Sequence, residues 1–227
     1  MVDSLREDVA MANHIAYREG LVTAFGHVSA RIAGSDSFWI PGRAAPMFAK
    51  ADSLLRVDLD GNVLEGEGKP NSETWIHARI YAARADVGAV AHVHAPACVV
   101  VGQLGVTVRP LHNSGALIGA VPVHERAGLI RTRALGDEVA KTLGHGSTML
   151  LRGHGANVAE KDVRRAIVIA CFLEEAAEMQ LRALAAAGGD AERVRFFGPE
   201  ENARLAEELS DIPMARAWEY YSARALV

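Results

Sequence analysis

The chain has 227 residues, which fits one large domain or two small ones. Half of its residues are hydrophobic, 23% are charged and the mean hydropathy is +0.07, values that predict a globular protein and exclude a disordered or membrane-embedded one. The net charge is −4 without a basic stripe, which argues against nucleic acid as a partner, and no amino-terminal signal peptide is predicted.

The amino-terminal half is predicted to form one helix, several short strands and a second helix. Apolar residues at three- and four-residue steps predict a helix over residues 4–19. Short alternating runs follow (HVSARIA, SFWIP, LLRVDLDGNVLEG), and the Asp60–Gly61 step predicts a hairpin. Asn71 or Ser72 is placed to cap a helix that runs to about Arg84.

The second half is predicted to alternate strands and helices and to end in a helical tail. GAVAHVHAPACVVVG begins as a strand, and residues 97–104 are predicted to be helical. VTVRPLH and AVPVHE are predicted as short strands, GLIRTRALGDEVAKTLG as a helix, and STMLLRGHGANVA as two strands around a glycine-rich turn. The longest helix is predicted over about 160–187, and the tail over about 190–227 is predicted to hold helices near 200–209 and 214–225.

This mixture of helices and short strands predicts an α/β layered domain with a mainly antiparallel or mixed sheet. GRAAPMFAK is not a phosphate-binding loop, and no glycine-rich dinucleotide fingerprint follows a strand. The two cysteines, Cys98 and Cys171, lie in apolar surroundings and are predicted to be buried free thiols, which suits a reducing cytoplasm.

Three of the nine histidines suggest a metal site. His92 and His94 are one residue apart on a predicted strand, so their side chains point to the same face and can chelate one ion. His154 lies between two glycines, which let the backbone approach a site closely. Three imidazoles with an open position suit Zn²⁺, and a fourth oxygen ligand suits Mn²⁺, Fe²⁺ or Co²⁺ as well. The alternative is a pair of half-buried polar residues and a simple turn.

Glu73 is the candidate oxygen ligand or proton shuttle. It lies early in the predicted helix PNSETWIH, where it can reach the histidines if that helix packs against their strand. A solvent-facing acid that favours the helix dipole is the alternative reading, and the four-residue spacing between Glu73 and His77 also fits a surface pair.

The motifs PNSETWIH, AHVHAPA and LLRGHGANV, in this order and before a long helix, resemble the class II aldolase/adducin family over about residues 9–187. The resemblance implies a single three-layer α/β/α domain over residues 1–227, and usually a cyclic homotetramer with active sites between subunits. It also implies one divalent metal ion per subunit bound by His92, His94 and His154, with Glu73 as the acid/base residue.

Departures from the sugar-phosphate aldolase pattern suggest another substrate. His27 stands where those aldolases carry asparagine, Arg43 lies in a loop without threonine, and a single serine, Ser72, precedes Glu73. These changes favour a planar carboxylate over a phosphate, although Arg43 also fits a solvated loop residue. The stretch around His112 lacks the tyrosine that the aldolases use as a proton donor.

The GHVSAR segment and the aromatic tail resemble the branch of that family with aromatic decarboxylases, which act on substrates such as 3,4-dihydroxyphthalate. That resemblance predicts a small anionic substrate held by Arg43 and His27, with hydrogen bonds from Ser29 or Ser72. Glu73, with a pKa raised by partial burial, or His112 is expected to protonate the ring carbon.

The tail residues Trp218 and Tyr221 are expected to cover the substrate or, alternatively, to pack as ordinary helix residues. A metal-dependent aldolase acting on a sugar phosphate or 2-oxo acid, and a non-catalytic adducin-like scaffold, remain as alternative functions.

Overall fold

The computed structural model describes residues 2–209 and 212–226 as a mixed sheet with helices on both faces. The strand order is β4–β3–β2–β1–β5–β8–β7–β6, antiparallel throughout except for the β6–β7 pair. In chain order the elements are α1 (Val2–Arg18), β1 (His27–Arg31), β2 (Ser37–Pro41), β3 (Leu54–Asp58), β4 (Val63–Glu65), α2 (Thr74–Ala83), β5 (Ala89–Val93), α3 (Pro96–Gln103), β6 (Val123–His124), α4 (Arg133–Leu143), β7 (Thr148–Leu151), β8 (Gly155–Glu160), α5 (Val163–Ala186), α6 (Pro199–Glu208) and α7 (Ile212–Ala225). The predicted α/β/α fold with a mainly antiparallel sheet is confirmed.

Two hydrophobic clusters lie on opposite faces of the sheet and define the three layers. One joins the sheet to α1, α3, α5 and α7, and the other joins it to α2 and α4. Strand β5 contributes Ala89, Ala91 and Val93 to the first cluster and Val90 to the second. Because side chains alternate along a strand, His92 lies on the face that carries α2 and α4.

The predicted strand over residues 106–112 is wrong. Gln180 of α5 accepts a hydrogen bond from Arg109 N at 2.6 Å and donates one to Thr107 O at 2.9 Å. Pro110 has no N–H to give to a strand neighbour. The Arg109 N–H and the Thr107 carbonyl are therefore hydrogen-bonded to a side chain, and the segment pairs with no strand. Of the other predicted strand, AVPVHE, only β6 forms.

Other elements follow the prediction with shifted ends. The hairpin at Asp60–Gly61 forms between β3 and β4. Helix α4 begins later than predicted because Thr132 caps it, with its hydroxyl accepting from Leu135 N at 3.3 Å. Ser72 does not cap α2. The N-cap residue of that helix is Glu73, whose side chain makes no capping hydrogen bond.

Cys98 and Cys171 are free and buried, as predicted. The tail helices pack back on the domain, α7 against α1 and α5, and α6 against the 3₁₀ segment Asn113–Ile118. Within residues 2–209 and 212–226, we find no helix with the length and apolar character needed to cross a bilayer.

Candidate metal centre

His92 and His94 meet at the end of β5, on the α2 face of the sheet. Their Nε2 atoms lie 3.1 Å apart and their ring centroids 5.0 Å apart. His94 follows the last strand residue, and its backbone N–H donates to Leu21 O at 2.9 Å, which holds the chain in line with the strand. The alternation predicted from the sequence therefore brings both imidazoles to one point.

His154 reaches the same point from the turn between β7 and β8. Gly153 and Gly155 on either side have φ values of +68° and +156°. A Cβ at Gly155 would lie 2.0 Å from Val93 O, so only glycine lets this turn touch the end of β5. The His154 ring consequently lies 4.9 Å and 4.8 Å from the rings of His92 and His94.

Glu73, the residue before α2, completes the cluster. Its Oε1 accepts a hydrogen bond from Ile130 N at 2.8 Å, which turns Oε2 towards the histidines. Oε2 lies 3.5 Å from His154 Nε2 and 3.9 Å from His92 Nε2. One ligand atom from each of Glu73, His92, His94 and His154 lies within 4.8 Å of the others.

The protonation pattern of the cluster fits a divalent cation. His92 Nδ1 lies 2.8 Å from Asn157 Oδ1, an acceptor, which places the ring proton on Nδ1 and leaves a lone pair on Nε2 facing the cluster. Neither buried ring nitrogen of His154 has a hydrogen-bond partner among the described residues. Three imidazole nitrogens and one carboxylate suit Zn²⁺, Mn²⁺, Fe²⁺ or Co²⁺.

The expectation that Glu73 has a raised pKa is wrong. Burial by itself raises the pKa of this carboxyl, but His154, His92 and the Ile130 N–H together outweigh burial and hold the pKa at about 2. Glu73 is therefore an anion at neutral pH, which suits a metal ligand or a general base better than a proton donor.

A chain of buried polar side chains lies beside the cluster, between β1 and α2. His27 Nδ1 lies 2.7 Å from His77 Nε2, His77 Nδ1 lies 2.6 Å from Ser29 Oγ, and Ser29 Oγ lies 2.7 Å from the Tyr81 hydroxyl. His77 is fully buried, so the reading of Glu73 and His77 as a surface pair is wrong. The four-residue spacing of Glu73, His77 and Tyr81 on one helix face was the available signal for this chain.

Three further residues were missed from the sequence. Asn157 is hydrogen-bonded to His92, and the Ile130 amide donates to Glu73. Both contacts join residues far apart in the chain, so no local pattern indicates them. Phe25 is 66% exposed and its ring is stacked 6.5 Å from the ring of His94, so it presents an aromatic face beside the centre.

Two predicted substrate-binding residues lie on loops near Glu73. Arg43 is exposed, and its Nε donates to Pro70 O at 3.2 Å, which holds its loop against the loop that carries Glu73. Ser72 is exposed and directly precedes Glu73. Ser29, by contrast, is fully buried behind His27 and offers no surface to a substrate.

Three other predicted residues, His112, Trp218 and Tyr221, do not join the cluster within one subunit. His112 Nε2 lies 3.3 Å from Glu175 Oε2 on α5. Trp218 packs under Arg164 beside a cavity of about 280 Å³ at the start of α5, past the far end of β8 from His154. Six strand residues separate those ends by roughly 17 Å.

Tyr221 is half-buried and lines a cavity of about 260 Å³ between the end of α1 and α5. For Trp218 and Tyr221, the geometry favours the alternative of helix packing over a cover for the subunit's own site.

Comparison with known proteins places the chain in a family. The class II aldolase and adducin N-terminal domain matches residues 7–181. The chain belongs to the class II aldolase and adducin family. It is 29% identical to a 3,4-dihydroxyphthalate decarboxylase of Arthrobacter keyseri, over 96% of this chain and 93% of the relative. A 3,4-dihydroxyphthalate decarboxylase of Rhodococcus jostii is 30% identical over 82% and 83% of the two chains.

A solved structure supports the fold directly. An aldolase II superfamily protein from Pseudomonas syringae superposes with a TM-score of 0.84 at 27% identity, over 98% of this chain and 92% of the other. The resemblance and the fold predicted from the sequence are thereby confirmed.

The family also contains proteins of other kinds. An L-fuculose phosphate aldolase of Methanocaldococcus jannaschii is 30% identical over 72% of this chain and 88% of the relative. Alpha-adducin of Rattus norvegicus is 27% identical over 73% of this chain but only 23% of its own length. The decarboxylases and the aldolase are both carbon–carbon lyases, so the prediction of a lyase is confirmed at the level of the family.

Proposed function

We propose that the protein is a divalent-metal-dependent lyase that decarboxylates a hydroxylated aromatic carboxylate or dicarboxylate. The observation that carries the proposal is the cluster of Glu73, His92, His94 and His154, whose ligand atoms all lie within 4.8 Å of one another. The near full-length match to a dihydroxyphthalate decarboxylase supports the reaction class. Its two buried free thiols favour a reducing cytoplasm as its location.

The residues around the cluster suit a planar aromatic anion. A divalent ion bound there supplies Lewis acidity that stabilises the negative charge left on the ring when CO₂ departs. Phe25 offers a ring face beside His94. Arg43, on the loop next to Glu73, can hold a carboxylate with two parallel N–H bonds, and His27 adds a polar group on the β1 side.

The ring carbon needs a proton after CO₂ leaves, and Glu73 is not suited to supply it. Glu73 has a pKa of about 2 and holds no proton at neutral pH. Within its own subunit His112 faces Glu175 and does not join the cluster. We therefore propose that His112 of a neighbouring subunit supplies the proton.

An inter-subunit site requires an oligomer, and we propose a homotetramer. Val100, Leu104 and Val106 form an exposed apolar strip at the end of α3, shortly before His112 in the chain. This strip continues into an apolar cavity of about 600 Å³ that Leu104, Val106 and Phe196 help to line. Contiguous exposed apolar surface of this kind is typical of subunit contacts.

A metal-dependent aldolase acting on a sugar phosphate or 2-oxo acid is the second candidate. The match to an L-fuculose phosphate aldolase favours it, and the same cluster would serve to stabilise an enediolate. Against it stand His27 in the first loop and the lack of a tyrosine in PLHNS, residues 110–114.

A non-catalytic scaffold is the third candidate, in view of the match to alpha-adducin. The complete set of three histidines and a glutamate argues against it. Stoichiometric metal in the purified protein would speak for an enzyme, whereas a protein without metal that stays inactive when metal is added would support the scaffold.

A substrate screen tests the proposal. We would assay 3,4-dihydroxyphthalate, a hydroxypyridine dicarboxylate and L-fuculose phosphate, each with Mn²⁺, Zn²⁺, Co²⁺ and Fe²⁺, and measure CO₂ and aldehyde separately. CO₂ release from an aromatic acid is the expected result. Turnover of the sugar phosphate alone would replace the decarboxylase with the aldolase.

A further inference from the structure

The polar chain of His27, His77, Ser29 and Tyr81 is closed at the end far from the metal centre. All four side chains are at most 2% exposed, so each buried polar atom in the chain needs a hydrogen-bond partner within the protein. The three links measure 2.7, 2.6 and 2.7 Å, and each joins atoms that can share one proton in either of two directions. The direction decides which nitrogen of His27 carries its proton.

Tyr81 sets that direction. Its hydroxyl has one proton, and two described groups lie within reach of its oxygen: Ser29 Oγ and the backbone N–H of Val90. The Val90 amide can only donate, so Ser29 is the single acceptor available to the Tyr81 proton. The reverse direction would leave a buried phenol O–H without an acceptor, which is the more costly arrangement.

The remaining protons follow by counting. Ser29 accepts from Tyr81 and donates its own proton to His77 Nδ1. A neutral His77 then carries its proton on Nε2 and donates it to His27 Nδ1. Each ring thus uses Nδ1 as an acceptor and keeps a single proton on Nε2, so both rings are neutral.

We infer that His27 is held as a neutral ring with its proton on Nε2, and that it acts as a fixed hydrogen-bond donor to an anionic group of the substrate. The role towards substrate rests on the proposed function, whereas the tautomer does not. Ser29, His77 and Tyr81 are positioning residues, since they act through His27.

This tautomer also explains why His27 is not a metal ligand. His27 pairs directly with His92 across β1 and β5, and their ring centroids are 5.2 Å apart. An Nε2 that carries a proton has no lone pair for a cation. The chain of hydrogen bonds therefore separates two adjacent histidines by role, with His92 offering a lone pair and His27 offering a proton.

The first test measures the tautomer directly by ¹⁵N NMR of histidine-labelled protein, as purified and with Zn²⁺ added. Loss of signals in His27→Asn and His77→Gln assigns the two rings. We expect both to be neutral with protonated Nε2. A His27 ring protonated on Nδ1 would overturn the inference, whatever the protein is found to catalyse.

A second test asks whether Ser29 transmits the direction. In Ser29→Ala the link to Tyr81 is lost, and we expect a mixture of both neutral forms at His27. Ser29→Thr keeps the hydroxyl and should keep the Nε2–H form, while Tyr17→Phe on the exposed side of α1 controls for the loss of an unrelated hydroxyl. An unchanged His27 tautomer in Ser29→Ala would contradict this role.

The third test concerns the substrate. His27→Leu should lower kcat/KM about ten- to a hundredfold, mainly through KM, because a hydrogen bond to a charged group is lost. His27→Asn keeps an acceptor for His77 and an N–H donor, and should recover much of that loss. Metal content should stay at the wild-type level in both, and loss of metal in His27→Leu would make His27 a ligand after all.

The outcomes remain distinct from those of the substrate screen. If no tested compound is turned over, the proposed function fails while the tautomer result stands. If an aromatic acid is turned over and His27→Leu leaves KM unchanged, the donor role fails while the proposed function stands.

Discussion

The two faces of β5 are built for different purposes from five consecutive residues. Ala89, Ala91 and Val93 face α1, α3 and α5 in an apolar cluster, where close packing and the removal of apolar surface from water stabilise the fold. On the other face, Val90 packs in the second hydrophobic cluster and His92 belongs to the candidate metal centre. A shift of one residue in strand register would exchange the two sets, so the site depends on the register that the apolar face specifies.

The faces also differ in how fully their groups are satisfied. The side chains of the apolar face carry no polar group that a bound ligand could satisfy. On the site face, neither buried ring nitrogen of His154 has a hydrogen-bond partner among the described residues. Unsatisfied buried polar groups cost stability, and such groups at a site commonly mark a place that a bound ion completes. Bound metal should therefore stabilise the fold as well as support catalysis.

The largest expected effect comes from substituting His92, and the adjacent residue Val93 on the opposite face of β5 provides the control. His92→Ala removes a ligand and should abolish both metal binding and activity, measured by metal analysis and turnover. Val93→Ala, the matched control one residue away, should lower the free energy of unfolding by about 1–3 kcal/mol while metal and activity remain. Retained activity in His92→Ala would contradict the site.

Glu73→Gln should have the next largest effect. The loss of an anionic base at the centre should lower kcat about 10²- to 10⁴-fold. Three histidines remain, so we expect the variant to keep its metal. Loss of metal together with activity would show that Glu73 is chiefly a ligand, and full activity would exclude it from the reaction.

Asn157→Leu tests the support of His92 from the neighbouring strand. Without the acceptor for Nδ1–H, the orientation and tautomer of His92 are no longer held, and metal affinity should fall about 10- to 100-fold. Competition with a chelator measures this change. Asn157→Asp keeps the acceptor and should bind metal more tightly than the leucine variant; equal affinities would argue against the proposed support.

A smaller effect concerns pH. Burial keeps the pKa of His77 well below its unfolded value of about 6.5, so the unfolded state binds more protons below that pH. Stability should therefore fall as pH drops below about 6.5, by up to about 1.4 kcal/mol per pH unit for this group. The low pKa of Glu73 acts in a separate window, since its contribution is complete above about 4.5 and lost as pH falls towards 2.

Urea unfolding of the metal-free protein at several pH values measures this slope. His77→Gln should make the slope between pH 6.5 and 5 shallower, whereas His145→Gln, which removes an exposed imidazole, controls for the loss of a histidine elsewhere. Identical slopes in the wild type and His77→Gln would contradict the expected linkage.

Much of the fold and the convergence of the three histidines could be predicted because their signals are local. Strand alternation places His92 and His94 on one face, and glycines on both sides of His154 permit the close turn against Val93. Helical periodicity similarly located α1 and α5 within a few residues. These features follow from backbone geometry, which repeats every two or 3.6 residues and is visible in the sequence itself.

Only the tertiary structure decided the charge of Glu73, the burial of His77 and the position of Trp218. Glu73 loses its proton because His154 and Ile130, distant in the chain, surround it. His77 is buried by β1, and Trp218 packs beyond the far end of β8. Each outcome depends on contacts between residues more than 40 positions apart, and local periodicity carries no information about such contacts.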